Sequence, residues 1–579
     1  MLARRYAHPT LAQPARRLGA QLRGKATAAS KPKVAKPKAK PQPRTSRAAS
    51  TRRASGGAPA AAKVTAAEPW RVNVVSEGLC DDILSYVGPS LERHRGCDLV
   101  DLNPGAGVWS RKLHDLLRPR RHVLMEPDAE LYRPFLEPLL AEDGVRLLPR
   151  SGIVWRDLLD VIRGDELAGQ RDRATPPGAE PARNDTLLVT ANLSMFPKKA
   201  FHGFDSVSTM VMYQLMSSIR TSSLFQQYGL VRMLVWVNDE DKRRLLPRAI
   251  HRRKRSAFEA ELSCEWIHEV AGLDAGVEDR NALRDEWINV ESGCRTLERM
   301  AAQGLVMPAG RETAVYKSLR ADPSLMGQRL AGVRPPTVSR PFKQELQDLE
   351  RGLSSSSDDD ATASKRLKAL RQREKYDQGD AALYLDLLRE HEAVAALAAK
   401  PGTSAEEVAR ADAAWNERID NLKKNARNEF NALRDSLHLF RQDPRAALGP
   451  ARPKAMHPLL RQHGPGTSRA GETSEAMLRF WFHHTLQPID RAMEGLWVGF
   501  GDLAGRCPSV RDPARGGSIV TGHGAVTVRA MNEAQWVEIL QAWMDWRFRP
   551  TYAQLLARLA VADDDADVDD EVRAAAGLA

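Results

Sequence analysis

Between Trp70 and Val237 short apolar runs alternate with amphipathic stretches. Asp98-Leu99-Val100-Asp101-Leu102 reads as a strand that runs into the tight turn Asn103-Pro104-Gly105-Ala106-Gly107, and Val108-Trp109-Ser110-Arg111-Lys112-Leu113 opens a helix. The order then repeats. Strand 122–125 is closed by Glu126, helix 129–140 leads to strand 145–148, and strand 185–191 is followed by helix 207–217 and by 230–237, whose apolar run, interrupted only by Arg232, suits a central strand. An amphipathic segment from Ser76 to about Leu91 precedes them, and Gly164 to Asn184 reads as a polar, Pro-rich surface insertion. Strands alternating with helices predict an α/β fold with a mostly parallel, doubly wound sheet, Rossmann-like in architecture. We assign it residues 70–334.

The period changes after Pro335. Two long segments, about 362–399 and 404–442, are split by Lys400-Pro401-Gly402, and in the second Trp415, Ile419, Leu422, Ala426, Phe430, Leu433, Leu437 and Phe440 recur at steps of three and four. That stripe predicts an inserted helical hairpin at 335–444, with the stripe as its packing seam. A Pro, Gly and Arg-rich loop follows at 445–474. Helices around Met477–Phe482 and Trp536–Met544 then make a C-terminal helical domain at 475–560, ahead of an acidic tail at 561–579.

Charge changes the picture at the amino terminus. The chain carries a net charge of +12, yet residues 1–64 hold 16 Lys and Arg and no acid, leaving 70 basic against 74 acidic residues elsewhere. Overall basicity is therefore no sign of nucleic-acid binding by the folded part, and any such surface must be a local patch. Arg4, Arg5, Arg16, Arg17 and Arg23 among leucines give residues 1–24 the composition of a mitochondrial presequence, addressed to the matrix. The Ala/Lys/Pro/Ser mixture of 25–69 predicts a disordered basic linker. No apolar run is long enough to span a membrane. The five cysteines lie far apart without metal-ligand spacing, which predicts a reducing compartment and no metal.

Candidate chemistry gathers at strand ends. A parallel strand ending in glycines lets its backbone approach a ligand, and an acid closing the next strand, here Glu126, is placed to bond a ribose diol. One acidic corner without a pyrophosphate cradle suits S-adenosylmethionine better than NAD. The alternative is a Rossmann-like core with an unused pocket. Asp157 stands where an adenine amine could be met, or where it simply caps a helix. Within 241–255, Lys242, Arg243, Arg244, Arg248, Arg252, Arg253, Lys254 and Arg255 supply eight cations in fifteen residues. They are read either as phosphate ligands or as a solvated loop.

Three segments carry a closer likeness: Leu187-Leu188-Val189-Thr190-Ala191-Asn192-Leu193, the run Tyr228–Trp236 with its basic sequel, and Trp543-Met544-Asp545-Trp546-Arg547-Phe548-Arg549-Pro550. With the NPGAG turn and Glu126 they resemble the KsgA/Dim1-like rRNA adenine N6-dimethyltransferases, and within that family the fungal mitochondrial transcription factors of the TFB class. The likeness covers about 70–300 and 475–560. It implies a Rossmann-like S-adenosylmethionine-dependent methyltransferase domain with a C-terminal helical domain. Asp101, Gly105 and Gly107 would line the methionine and ribose, Glu126 would hold the ribose hydroxyls, and Asp157 would sit near the adenine. Asn192 would open the turn that holds the target base and would be the catalytic residue. Ser194 and Met195 replace that turn's proline and ring, Phe196 could supply the ring only from one position on, and Asn103 replaces a glycine.

Three functions remain open on this reading. The first is a transcription initiation factor that assists the mitochondrial RNA polymerase at promoter DNA, with S-adenosylmethionine retained or vestigial. The others are an active dimethyltransferase of small-subunit rRNA and a ribosome-bound structural protein. The sequence does not reveal the oligomeric state.

Overall fold

A computed structural model describes residues 71–176, 179–196, 200, 204–272, 283–355, 361–376, 380–442, 452–461 and 469–560. The presequence, the basic linker and the acidic tail expected from the sequence lie outside them.

Five parallel strands form the central sheet in the order β3-β2-β1-β4-β5: β1 Asp98–Leu102, β2 Arg121–Met125, β3 Val145–Leu148, β4 Arg183–Asn192 and β5 Leu230–Trp236. Every residue of β1 is buried, because both faces are covered. Leu99 and Leu188 face one core, built with Leu113 and Leu117 of α2 (Val108–Leu117) and Leu91 of α1 (Glu77–Leu91). Val100, Leu102 and Val189 face another, with Leu158 of α4 (Trp155–Arg163) and Val211 of α5 (Val207–Thr221). The two-residue period of a strand makes this division. Helix α3 (Ala129–Leu140) crosses between β2 and β3. Chain order reverses between β1 and β4, and the carboxyl ends on either side of that reversal form the crevice where such sheets take ligands.

Beyond β5 come α6 (Asp239–Leu245) and α7 (Arg255–Ser263). Phe258 and Leu262 of α7 belong to the same core as Met477, Trp481, Met493 and Trp536 of the C-terminal helices, so that region is packed directly on the α/β domain.

Three expectations need correction. β5, expected as a central strand, ends the five-stranded sheet and pairs with β4 alone among the described strands. The 164–184 segment is not a mere surface insertion: Gln170 is fully buried, its amide donating to Asp98 Oδ2 at 2.7 Å and to the Thr186 carbonyl at 2.9 Å, and β4 already starts at Arg183. The insertion is also no simple hairpin. Its described helices are Pro341–Ser355, Ala361–Tyr376, Ala381–Ala399, Ala405–Asp420 and Lys424–Gln442. Ser404 caps the helix expected after Lys400-Pro401-Gly402 by accepting from Glu407 N–H, while Asp380, accepting from Leu383 N–H, caps a further start that periodicity did not signal. The apolar stripe is real as a core, but Ile288, Ala331 and Val520 from outside 335–444 complete it.

Candidate functional site

The turn after β1 is built from left-handed backbone: φ is +58° at Asn103, +59° at Gly105 and +73° at Gly107. It brings the Gly105 N–H within 3.0 Å of Glu126 Oε2 at the end of β2. Glu126 has no solvent exposure, and Asp128 N–H donates to its other oxygen at 3.0 Å. So far this matches the corner expected for a ribose. Arg71 fills it instead, with Nη1 donating to both Glu126 oxygens at 2.6 Å while the guanidinium lies 5.5 Å from the Tyr132 ring. Burial alone would lower the Arg71 pKa, but the hydrogen bond and charge of Glu126 hold it above its ordinary value.

The neighbours of Arg71 complete a strap across the crevice. Val72 N–H donates to the Ser194 carbonyl at 3.0 Å, and Asn192 Nδ2 donates to the Val72 carbonyl at 2.9 Å. Asn73 donates to Tyr132 Oη at 3.1 Å, and its Oδ1 stands 2.1 Å from where a Cβ on Gly105 would lie. Gly105 therefore does admit a close approach, and the approaching group belongs to the chain itself. Arg71, Asn73 and Tyr132 escaped the sequence reading. The alternation Arg71-Val72-Asn73-Val74 was the available sign that an extended segment starts there.

Gly105, Glu126 and Asn192 do meet at the crevice, but the remaining expected cofactor residues serve the fold. Asp101 is buried beneath the sheet edge, accepting from Ser110 Oγ and lying 3.9 Å from His122 Nε2, so it faces no ligand. Gly107 is needed because its φ of +73° is one that residues with a Cβ rarely adopt. Asp157 accepts from Ser151 N–H at 2.9 Å and closes the turn before α4. Asn192 has both side-chain ends engaged, since its Oδ1 accepts from Ser194 N–H at 3.1 Å. Phe196 stands 74 % exposed rather than folded into the crevice. The residues present do not fit S-adenosylmethionine: the ribose acid is ion-paired, and the glycine approach is occupied.

The basic segment divides in the same way. Arg253 is a structural residue and is corrected as a nucleic-acid ligand: nearly fully buried, it pairs with Glu261 and donates to the Arg529 carbonyl at 2.6 Å and the Met531 carbonyl at 3.0 Å. Lys242 pairs with Asp239 and Glu269, Arg243 with Asp239 at 2.5 Å, and Arg244 with Asp205. Arg248 and Arg252 are largely exposed, as is Lys254. Beside them opens a cleft of about 240 Å³ between α5, α7 and the C-terminal helices, edged by Arg244, Lys254 and Arg255. On its wall, Phe204 and Tyr213 lie with ring centroids 5.8 Å apart. Glu259, also lining it, sits 3.7 Å from Arg255 and 3.9 Å from Arg220. Burial pushes its carboxyl above the usual range while both arginines pull it back.

Fold and crevice together define a Rossmann-like α/β protein whose ligand corner is closed by its own chain. The chain is similar to mitochondrial transcription factor 1 of Saccharomyces paradoxus and of Saccharomyces cerevisiae, at 26% identity over 166 residues in each case. It is also similar to mitochondrial transcription factor 1 of Lachancea kluyveri, at 23% identity over 152 residues. The matches take in 26–28% of this chain and 40–43% of those relatives, so the chain aligns with less than half of their length. The resemblance to fungal mitochondrial transcription factors is thus borne out, while no protein-family model matches the chain.

Proposed function

We propose that this chain is a mitochondrial transcription factor that engages promoter DNA with the organellar RNA polymerase, and that it does so without S-adenosylmethionine. The observation that carries the reading is its similarity to the three yeast mitochondrial transcription factor 1 proteins. The self-filled crevice supports a binding role over methyl transfer, because a cofactor would have to displace a buried ion pair. Exposed rings also favour single-stranded nucleic acid. Phe196 follows the carboxyl end of β4, and Trp155, 38 % exposed, opens α4 after β3. Rings at that edge, with the exposed cations Arg248, Arg252 and Lys254, offer stacking and phosphate contact that are indifferent to base sequence.

The test is run-off transcription from a mitochondrial promoter by the organellar polymerase, with and without this protein and with and without S-adenosylmethionine. The expected result is promoter-specific initiation that needs the protein and ignores the cofactor. Absence of any promoter-specific stimulation, together with dimethylation of a small-subunit rRNA hairpin or stable co-purification with the small ribosomal subunit, would overturn it.

A further inference from the structure

In the cleft beside α7 the ion pairs of Glu259 with Arg255 and Arg220, at 3.7 and 3.9 Å, leave its hydrogen bonding unmet. Neither oxygen of Glu259 accepts a hydrogen bond from any described residue, although both are buried, and Nε of Arg220 beside it is likewise without an acceptor. Leaving a desolvated carboxylate without donors is unfavourable, and a ligand bearing N–H groups relieves that cost. Tyr213 offers a ring face along the same wall, with the Arg255 guanidinium 6.0 Å from its centroid. Exposed Lys254 lines the cleft beside Arg244, which is paired with Asp205 yet exposed, and this edge repels a cationic peptide and attracts a phosphate chain. A volume of about 240 Å³ is smaller than a drug-sized site and suits one planar base.

We propose that this cleft receives a single unpaired guanine from a DNA strand, with Glu259 reading its Watson–Crick edge and Tyr213 stacking on its face. Among the bases guanine alone presents two adjacent N–H donors, N1 and N2, to match both carboxylate oxygens, and its O6 and N7 accept from an arginine. Adenine and cytosine present an acceptor where the second donor is needed. The strand continues over Lys254 and Arg244. This rests on the promoter-binding reading, to which it adds a base preference.

The test uses the full chain and fluorescence anisotropy with a labelled twelve-nucleotide dT oligomer, the same oligomer with one central dG, and one with deoxyinosine in its place. The dG oligomer is expected to bind about tenfold tighter than all-dT, and inosine, which lacks the N2 amine, to lose most of that gain. Glu259→Gln is expected to abolish the preference while all-dT affinity stays unchanged. Equal binding of all three oligomers by the unaltered protein, a dG preference surviving in Glu259→Gln, or a larger preference in the matching U/rG oligomers would overturn the proposal. The inosine comparison needs no variant, so it decides the matter even if Glu259→Gln fails to fold. Promoter-dependent transcription without a dG preference would sink the guanine pocket alone, whereas loss of both strand binding and transcription would sink the functional reading with it.

Discussion

Arg71 and Glu126 are 3% and 0% exposed at their side chains, so their pairing is unscreened and either partner alone would be stranded. Breaking such a pair costs about 3–5 kcal/mol, mostly through the charge left behind. Arg71→Met is accordingly expected to lower the urea-unfolding free energy by that amount, and Arg71→Met with Glu126→Leu to recover part of it. A single variant as stable as the parent would show that the strap is not seated in solution. Glu126 and Gly105 were legible in the sequence because a strand end and a glycine turn are local patterns. Arg71 was not, since its partner lies 55 residues away and nothing local marks an arginine as a substitute for a ligand. Arg253 failed for a related reason. A run of cations reads as one surface, yet burial selects one member as a tie to the carbonyls of Arg529 and Met531.

At the scale of elements, several histidines are buried as neutral rings. Burial lowers His391 and His438, in the inserted helices, to about 4, and does the same to His94 after α1, while His268 beyond β5 falls to about 3. His391 and His438 bond the Gly524 and Gly516 carbonyls at 3.2 and 2.9 Å. Because the unfolded chain takes up protons near pH 6.5 and the folded one only near 4, stability is full above pH 6.5 and is lost as pH falls through that window. Each histidine withdraws up to about 1.4 kcal/mol per pH unit there. The thermal midpoint is expected to fall steadily from pH 7 to pH 5, with a shallower slope for His391→Gln. A midpoint flat across that range would mean these rings are open to solvent. Hydrophobic spacing showed that 362–442 is helical and which side packs. It found the break at Lys400-Pro401-Gly402 but missed the helix start at 381, because a cap such as Asp380 acts through a single hydrogen bond that leaves no periodic trace.

Across the molecule, the insertion is joined to the C-terminal region by buried charge. Asp435 accepts from Arg434 at 2.8 Å, Arg529 at 2.8 Å and Thr527 at 3.0 Å, and although burial alone would raise its pKa these arginines hold it down. Asp412 reaches Thr521 in the same way, at 2.5 Å to its hydroxyl. The boundaries at 335 and 444 therefore mark changes of sequence character and not edges of a separable core. Long-range charge is likewise local. With the body of the chain slightly acidic, strand affinity should depend on salt through the few exposed cations of the basic segment. Changing Arg248, Arg252 and Lys254 together to Gln, with Arg253 left in place, is expected to flatten the slope of log affinity against log salt by about two units for single-stranded DNA. An unchanged slope would assign the phosphate contacts elsewhere.

The strap also bears on how the fold's stability depends on its surroundings. A fold whose pocket waits for a small molecule gains stability with that molecule's concentration, so its abundance follows supply. Here the occupant is tethered, and its effective concentration is fixed by the chain rather than by the cell. Such a fold holds its shape whatever the supply of a pocket ligand.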